Sequence, residues 1–376
     1  MNAPLPSPSS MVASTVAAYD VHLRSLVTRV PAHVLAQDRV REQAKAYFSR
    51  RTGLFDHLEP VFANARIATR YACQPFDWYL ESRDFGEKSQ LYAEHATALC
   101  RAAATDALAA AGLSAQEIDA IVVVSTTGVV TPSLDARLMN LLPFRCDTIR
   151  LPIFGLGCSG GVLGLTRAAQ LARSRPGMRC LLLVVELCTM AIRHDRASPS
   201  NIVATALFGD GAAAAILESD DPSGPADAAP TIARIGVGGE HCWPDTLDIM
   251  GWRVDGLGLD VIFSSSIPQV VADDYPGALA GFLSRSGLRR DDFVRPCCHP
   301  GGVKVIEALE SVYGMPPGEL DAEREILSEY GNMSAPTVLF VLDRLLDKGL
   351  SGPVLMSSLG PGFTAAFQVL ELAPQS

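Results

Sequence analysis

Positive charge is in short supply: 31 Lys and Arg face 41 Asp and Glu across 376 residues, for a formal net charge of -10. Without a cationic excess to neutralise a phosphate backbone, nucleic acid is not expected as a partner. Long apolar runs are missing as well. Stretches such as Cys180 to Val185 fall far short of the ~20 residues that span a bilayer, so no stable membrane insertion is expected. The first residues carry Pro4, Pro6 and Pro8 with neither a basic n-region nor an apolar segment of signal-peptide length. Residues 1–19 therefore read as a flexible tail, and the chain is expected to be soluble and cytoplasmic. No repeat of fixed period is visible. Nine cysteines make an odd number, several inside apolar runs. In such a chain they are expected as reduced thiols.

What is present is core material. Hydrophobic residues make up 48% of the chain and charged ones 19%, enough for two domains or one large α/β unit. Turn signals alternate with apolar periods in the α/β manner. Helices are expected over Val34 to Phe48, Leu91 to Ala110, Ser133 to Leu142, and Gly161 to Arg173. Strands are expected over Ala120 to Ser125, Thr148 to Phe154, and Arg179 to Glu186, with Ser114 to Glu117 fitting a capping box. From about Thr231 the pattern restarts. Helices are expected at Gly277 to Ser286, Val303 to Tyr313, and Pro336 to Lys348, with strands at Phe293 to Cys298, Val354 to Ser358, and Ala365 to Leu372. The Asp/Pro/Gly/Ala-rich stretch Pro222 to Pro230 divides an N-terminal half, 20–229, from a C-terminal half, 230–376.

Gly155-Leu-Gly157-Cys-Ser-Gly160 matches GxGxxG between an apolar strand and a helix, with Glu186 closing the next strand, which is most of a dinucleotide-binding fingerprint. The same turn holds Cys158 at the start of a helix, where unpaired N–H groups favour a thiolate and depress the thiol pKa. Buried packing is the ordinary fate of a free cysteine. Cys158 differs in lying among four glycines, read here as opening room for another molecule. A cysteine nucleophile needs a base. Of seven histidines, His299 ends a strand and precedes Pro300-Gly301-Gly302, a placement suited to a cleft. Asn332, in Gly331-Asn-Met-Ser-Ala-Pro336, fits either a helix N-cap or an amide aimed at an oxyanion.

Five segments then carry a family resemblance: Gly157-Cys-Ser-Gly-Gly161, Leu207-Phe-Gly-Asp-Gly-Ala-Ala213, His299-Pro-Gly-Gly302, Gly331-Asn-Met-Ser-Ala-Pro336 and Gly360-Pro-Gly-Phe363. Together they resemble, in order, the chalcone-synthase-like type III polyketide synthases of the thiolase superfamily. The resemblance implies an α/β, thiolase-like, five-layered αβαβα fold of two related halves, a homodimer, and acyl-CoA and malonyl-CoA as substrates with no cofactor. It displaces the dinucleotide reading. It implies that Cys158 carries the acyl chain, that His299 pairs with its thiolate, and that His299 and Asn332 hold the malonyl thioester oxygen during decarboxylation. It makes Phe208 the aromatic between CoA tunnel and extension cavity. Cys297-Cys298-His299 invites a zinc assignment, but neighbouring strand residues face opposite sides and no second ligand cluster is evident, so no metal is expected.

Departures from the plant pattern bear on substrate. Val261 stands where an aromatic gate is found, and Cys188 and Ala191 where threonines line the plant cavity, while Thr126 matches. A less polar and less aromatic cavity points to an aliphatic starter and resembles bacterial alkylresorcinol or alkylpyrone synthases. The basic residues that clamp CoA phosphates have no clear counterpart, since Asn64 and Ala65 occupy that neighbourhood. Arg66 and Lys304 are the substitutes, with Gly301 and Gly302 beside them, and a solvated surface charge is the competing reading for both. Two other functions stay open at this point: a single ketoacyl synthase III type condensation, and a non-catalytic acyl-binding partner.

Overall fold

The computed structural model describes residues 19–50, 52–193, 196–223 and 231–374. The expected tail lies outside them apart from Tyr19, as does most of the dividing loop Pro222 to Pro230. Nine strands hydrogen-bond into one sheet in two runs. The first runs Ile149–Ile153, Ala120–Val124, Arg179–Leu187, Asp210–Ser219, Val21–Arg29; the second continues Ala233–Cys242, Thr364–Leu372, Gly352–Gly360, Arg295–Cys298. Only three residue pairs, Val21 to Leu23 against Ile235 to Ala233, join the two runs. Read outward from that seam, both have the same chain logic. The first strand of each half pairs with its last strand, followed by the penultimate strand and then an earlier parallel one.

Helices Gly160–Ala172 and Thr337–Asp347 lie between the two runs of sheet. Gly160–Ala172 packs on strands of both halves, and Thr337–Asp347 does the same. Their side chains Val162, Leu165, Ala169, Val338, Leu342 and Leu345 fill one core with Val122, Leu182, Val354 and Leu370. A helix buried on all sides must be apolar all round, and ten of the thirteen residues of Gly160–Ala172 are buried. On one outer face helix Phe85–Ala111 lays Ala96, Cys100, Ala103 and Ala107 against Ile121, Leu183 and Ala214. On the other, Tyr275–Ser286 and Val303–Tyr313 cover Leu355, Ala365 and Phe367. The succession helix, sheet, helix, sheet, helix makes the five layers expected.

Local departures have local causes. Residues His33–Ala36 form a strand paired with Thr69–Ala72 rather than the first turn of a helix, and the helix starts at Gln37. The helix expected over Ser133 to Leu142 is a single turn, Leu134–Leu138. Ser114 and Glu117 do form a capping box, on a 3-10 turn.

Candidate active site

Cys158 sits in the 3-10 turn Gly157–Ser159 that feeds the central helix Gly160–Ala172. Three of the four glycines around it, Gly157, Gly160 and Gly161, do not open room, because the chain's own segments fill it; only Gly155 faces open space. Gly157 has φ +47, and a Cβ there would meet the Pro361 ring at 2.6 Å; one on Gly161 would lie 2.3 Å from the Ala335 carbonyl. Glycine at these positions lets the strand ending at Gly360 and the Asn332 segment close down on the nucleophile turn. Beneath it, Thr126 Oγ1 accepts a 3.0 Å hydrogen bond from the Gly157 N–H. Thr126 is held in turn by Glu186, which is fully buried and accepts from the backbone N–H groups of Thr126 and Thr127 and from the Thr127 hydroxyl. Glu186 is thus an internal brace, not the ribose ligand of a nucleotide site.

His299 leaves the strand Arg295–Cys298 with its N–H bonded to the Ser357 carbonyl at 2.9 Å. Its ring is buried, and neither ring nitrogen has a hydrogen-bond partner. Asn332 is not a helix N-cap, a position taken by Pro336. Its Oδ1 accepts from the Ser334 N–H at 2.8 Å, and its Nδ2 donates to the Gly301 carbonyl at 3.1 Å. One Nδ2–H is left over by this arrangement. Backbone bonds from Asn332 N to the Leu207 carbonyl and from Gly209 N to the Asn332 carbonyl tie the segment to Phe208.

Cys158, His299 and Asn332 line one cavity with Gly301, Tyr275, Ser357 and Ser358, its remaining wall being apolar. Cys158 also lines a second, adjoining cavity with Cys188, Phe208, Trp252, Val261 and Ser334. Phe208 packs against Trp252 and Phe263 at ring distances of 6.1 and 6.5 Å. Met250 and Phe263 line both cavities, so the aromatic cluster stands at their junction. Ala191 lines a different cavity, with Lys88 and Arg193. Thr126 braces the turn from behind and lines neither cavity at Cys158. Lys304 and Arg66 are exposed and line neither. Gly302 opens the helix Val303–Tyr313.

The electrostatics correct one expectation. Burial pushes the Cys158 thiol up to about 11, with the Glu186 charge adding and the Ser334 hydroxyl at 3.5 Å opposing. Burial alone drives His299 down to about 3. Desolvation thus disfavours the charged form of both groups, against the pull of the helix start toward a thiolate.

All nine cysteines are free. Among the described residues no group of three or more His, Cys, Asp or Glu could hold a metal ion, and no helix is long and apolar enough to cross a membrane. Sequence reasoning missed Glu186 as a brace, although an acidic residue within an unbroken apolar strand is itself a signal. It also missed Ser334 and Ser358, which look like loop and strand polarity until the fold turns them inward.

A thiolase-like αβαβα fold with a buried cysteine at the entrance of its central helix defines a condensing enzyme that acts on acyl thioesters. More narrowly, the chain belongs to the chalcone and stilbene synthases, whose N-terminal domain model matches residues 13–222 and C-terminal domain model residues 237–369. It is a type III polyketide synthase, an acyltransferase working on CoA thioesters. It is 39% identical over 318 residues to a 1,3,6,8-tetrahydroxynaphthalene synthase of Streptomyces peucetius subsp. caesius, covering 83% of each chain. It is 34% identical to a putative chalcone synthase of Bacillus subtilis, covering 91% of this chain and 96% of that one. The crystal structure of 1,3,6,8-tetrahydroxynaphthalene synthase from Streptomyces coelicolor superposes with a TM-score of 0.86 at 26% identity, covering 94% of this chain and all of that one.

Proposed function

We propose that the protein loads a medium- or long-chain aliphatic acyl group from CoA onto Cys158, extends it repeatedly with malonyl-CoA, and releases a chain that closes to an alkylpyrone or alkylresorcinol. The observation carrying this reading is the joint burial of Cys158, His299 and Asn332 around one cavity, next to a second with Val261 and Cys188 in its wall. In loading, Cys158 Sγ attacks the thioester carbonyl as neutral His299 takes its proton; the CoA–carbonyl bond breaks and the departing CoA thiolate receives that proton. In extension, the malonyl C–C bond breaks, CO2 leaves, and the electron pair forms an enolate held by His299 and Asn332 N–H groups. The enolate carbon attacks the acyl carbonyl and frees the Cys158 thiolate. Gly301, in the cavity wall, and Gly302 beside it are the residues proposed to border the approach for CoA. Lys304 and Arg66, both exposed and outside the two cavities at Cys158, are the cations proposed to meet its phosphates.

A homodimer fits the sheet edge. Strand Ile149–Ile153 is the outermost strand of its run and leaves Ile149 and Leu151 exposed, with Phe154 beside them. Free thiols suit the cytoplasm.

A second reading draws on the relative at 39% identity, whose name denotes a polyhydroxylated naphthalene without an alkyl chain. There the starter would be short and the product wholly aromatic. Mass spectrometry of products from malonyl-CoA alone and with a panel of acyl-CoA starters separates the two. Alkylated pyrones or resorcinols support the first, a hydroxylated naphthalene from malonyl-CoA alone supports the second, and a single β-ketoacyl product would overturn both.

A further inference from the structure

The cavity holding His299 contains one hydroxyl that neither the mechanism above nor the fold engages. Ser358 lies on the strand Gly352–Gly360, opposite Ala366, near the point where this strand runs into Pro361 and the nucleophile turn. The residue is 4% exposed, and its hydroxyl oxygen is buried without any hydrogen-bond partner. A buried hydroxyl left unpaired is costly, and the cost is not removed by anything else in the fold. The other hydroxyls lining the cavity are engaged. Tyr275 OH bonds to Tyr313 OH at 2.8 Å, and Ser357 Oγ bonds to Cys298 Sγ and receives the Tyr313 hydroxyl. No Lys or Arg lines this cavity.

We propose that the Ser358 hydroxyl binds the carboxylate of malonyl-CoA and so selects the extender unit. The inference rests on the decarboxylating role of this cavity. A malonyl group carries oxygens at two ends, one methylene apart. His299 and Asn332 supply the N–H donors for the thioester end, and Ser358 is the remaining unengaged donor for the other. A neutral hydroxyl in an apolar wall suits a group that must leave. It orients the carboxylate by one hydrogen bond but stabilises it less than a guanidinium would. When the C–C bond breaks, the electron pair moves toward the thioester oxygen, and the departing CO2 is uncharged and holds the hydroxyl only weakly. A starter acyl-CoA has no carboxylate, so its transfer to Cys158 makes no use of Ser358.

The test compares wild type, Ser358→Ala and Ser358→Thr in three readouts: KM and kcat for malonyl-CoA, the rate at which Cys158 is acylated by dodecanoyl-CoA in intact-protein mass spectra, and the melting temperature. Loss of one hydrogen bond to a charged group predicts a KM for malonyl-CoA raised about tenfold in Ser358→Ala. Acylation should be unchanged, and the melting temperature equal or higher, because the lost hydroxyl had no partner. Ser358→Thr, which keeps the hydroxyl, should hold KM near the wild-type value. An unchanged KM in Ser358→Ala overturns the inference, as does a parallel loss of acylation and melting temperature, which would mark a structural role. Wild-type protein that is never acylated on Cys158 would overturn the underlying reading of the site, and the inference with it.

Discussion

Two residues set the acid–base state of the site, and both are ruled by burial. Cys158 is pushed up to about 11, so below that value its thiolate fraction, and with it the alkylation rate, should climb roughly tenfold per pH unit from about pH 7 to 9. Peptide-mapped iodoacetamide labelling measures this; a rate already level at pH 6 would mean that Cys158 rests in an ion pair with His299. His299 makes the complementary prediction. Its folded-state pKa, about 3, lies below the ordinary 6.5, so the unfolded chain binds the extra proton between those values. Stability from the neutral ring is present above pH 6.5 and is lost as pH falls toward 3, with a slope of up to about 1.4 kcal/mol per pH unit. His299→Asn should flatten the fall in melting temperature between pH 6 and pH 4 relative to wild type. Equal slopes would show that the imidazole is solvated in the folded protein.

Elements with one dominant periodicity were legible in advance. Val303–Tyr313 falls where the apolar spacing puts it, and Arg179–Leu187 reads as a buried strand because its aliphatic run is short and unbroken. Others were not, for physical reasons. Asp210–Ser219 carries four successive alanines, good helix formers, yet it is a strand because it is paired on both edges and its alanines alternate into the cores on the two faces of the sheet. Val21–Arg29, which follows the tail, and the glycine-rich Ala233–Cys242 escaped because neither has a clean period, and they gain partners only across more than a hundred residues. Within the site, Cys158, His299, Phe208 and Asn332 were legible because each sits in a motif. Ala191 was misplaced because it lies on a 3-10 turn that faces another cavity, which spacing alone does not reveal. The strand Gly258–Phe263 holds Val261 opposite Trp252 beside the nucleophile cavity. Val261→Phe should therefore lower kcat/KM for dodecanoyl-CoA about tenfold, the equivalent of ~1.4 kcal/mol of transition-state binding, while sparing hexanoyl-CoA. A uniform loss across chain lengths with a lowered melting temperature would mark overpacking instead.

At the scale of the whole molecule, the two halves meet along a narrow strand seam and a shared helical core, which brings Cys158 from one half against His299 and Asn332 from the other. Ile149, Leu151 and Phe154 form an exposed apolar edge, and the proposed homodimer would place a second copy there. Leu151→Glu should shift the protein from dimer to monomer in sedimentation velocity; a monomeric wild type would dismiss that surface. In the proposed reaction Cys158 carries the growing chain while His299 and Asn332 generate the enolate. This is tested most directly by incubating Cys158→Ala with dodecanoyl-CoA and malonyl-CoA and following both the intact-protein mass and CO2 release. The expected result is no acyl adduct and no polyketide, with malonyl-CoA still losing CO2 to give acetyl-CoA. An acyl adduct on the variant, or an extended product from it, would show that Cys158 is not the acyl carrier.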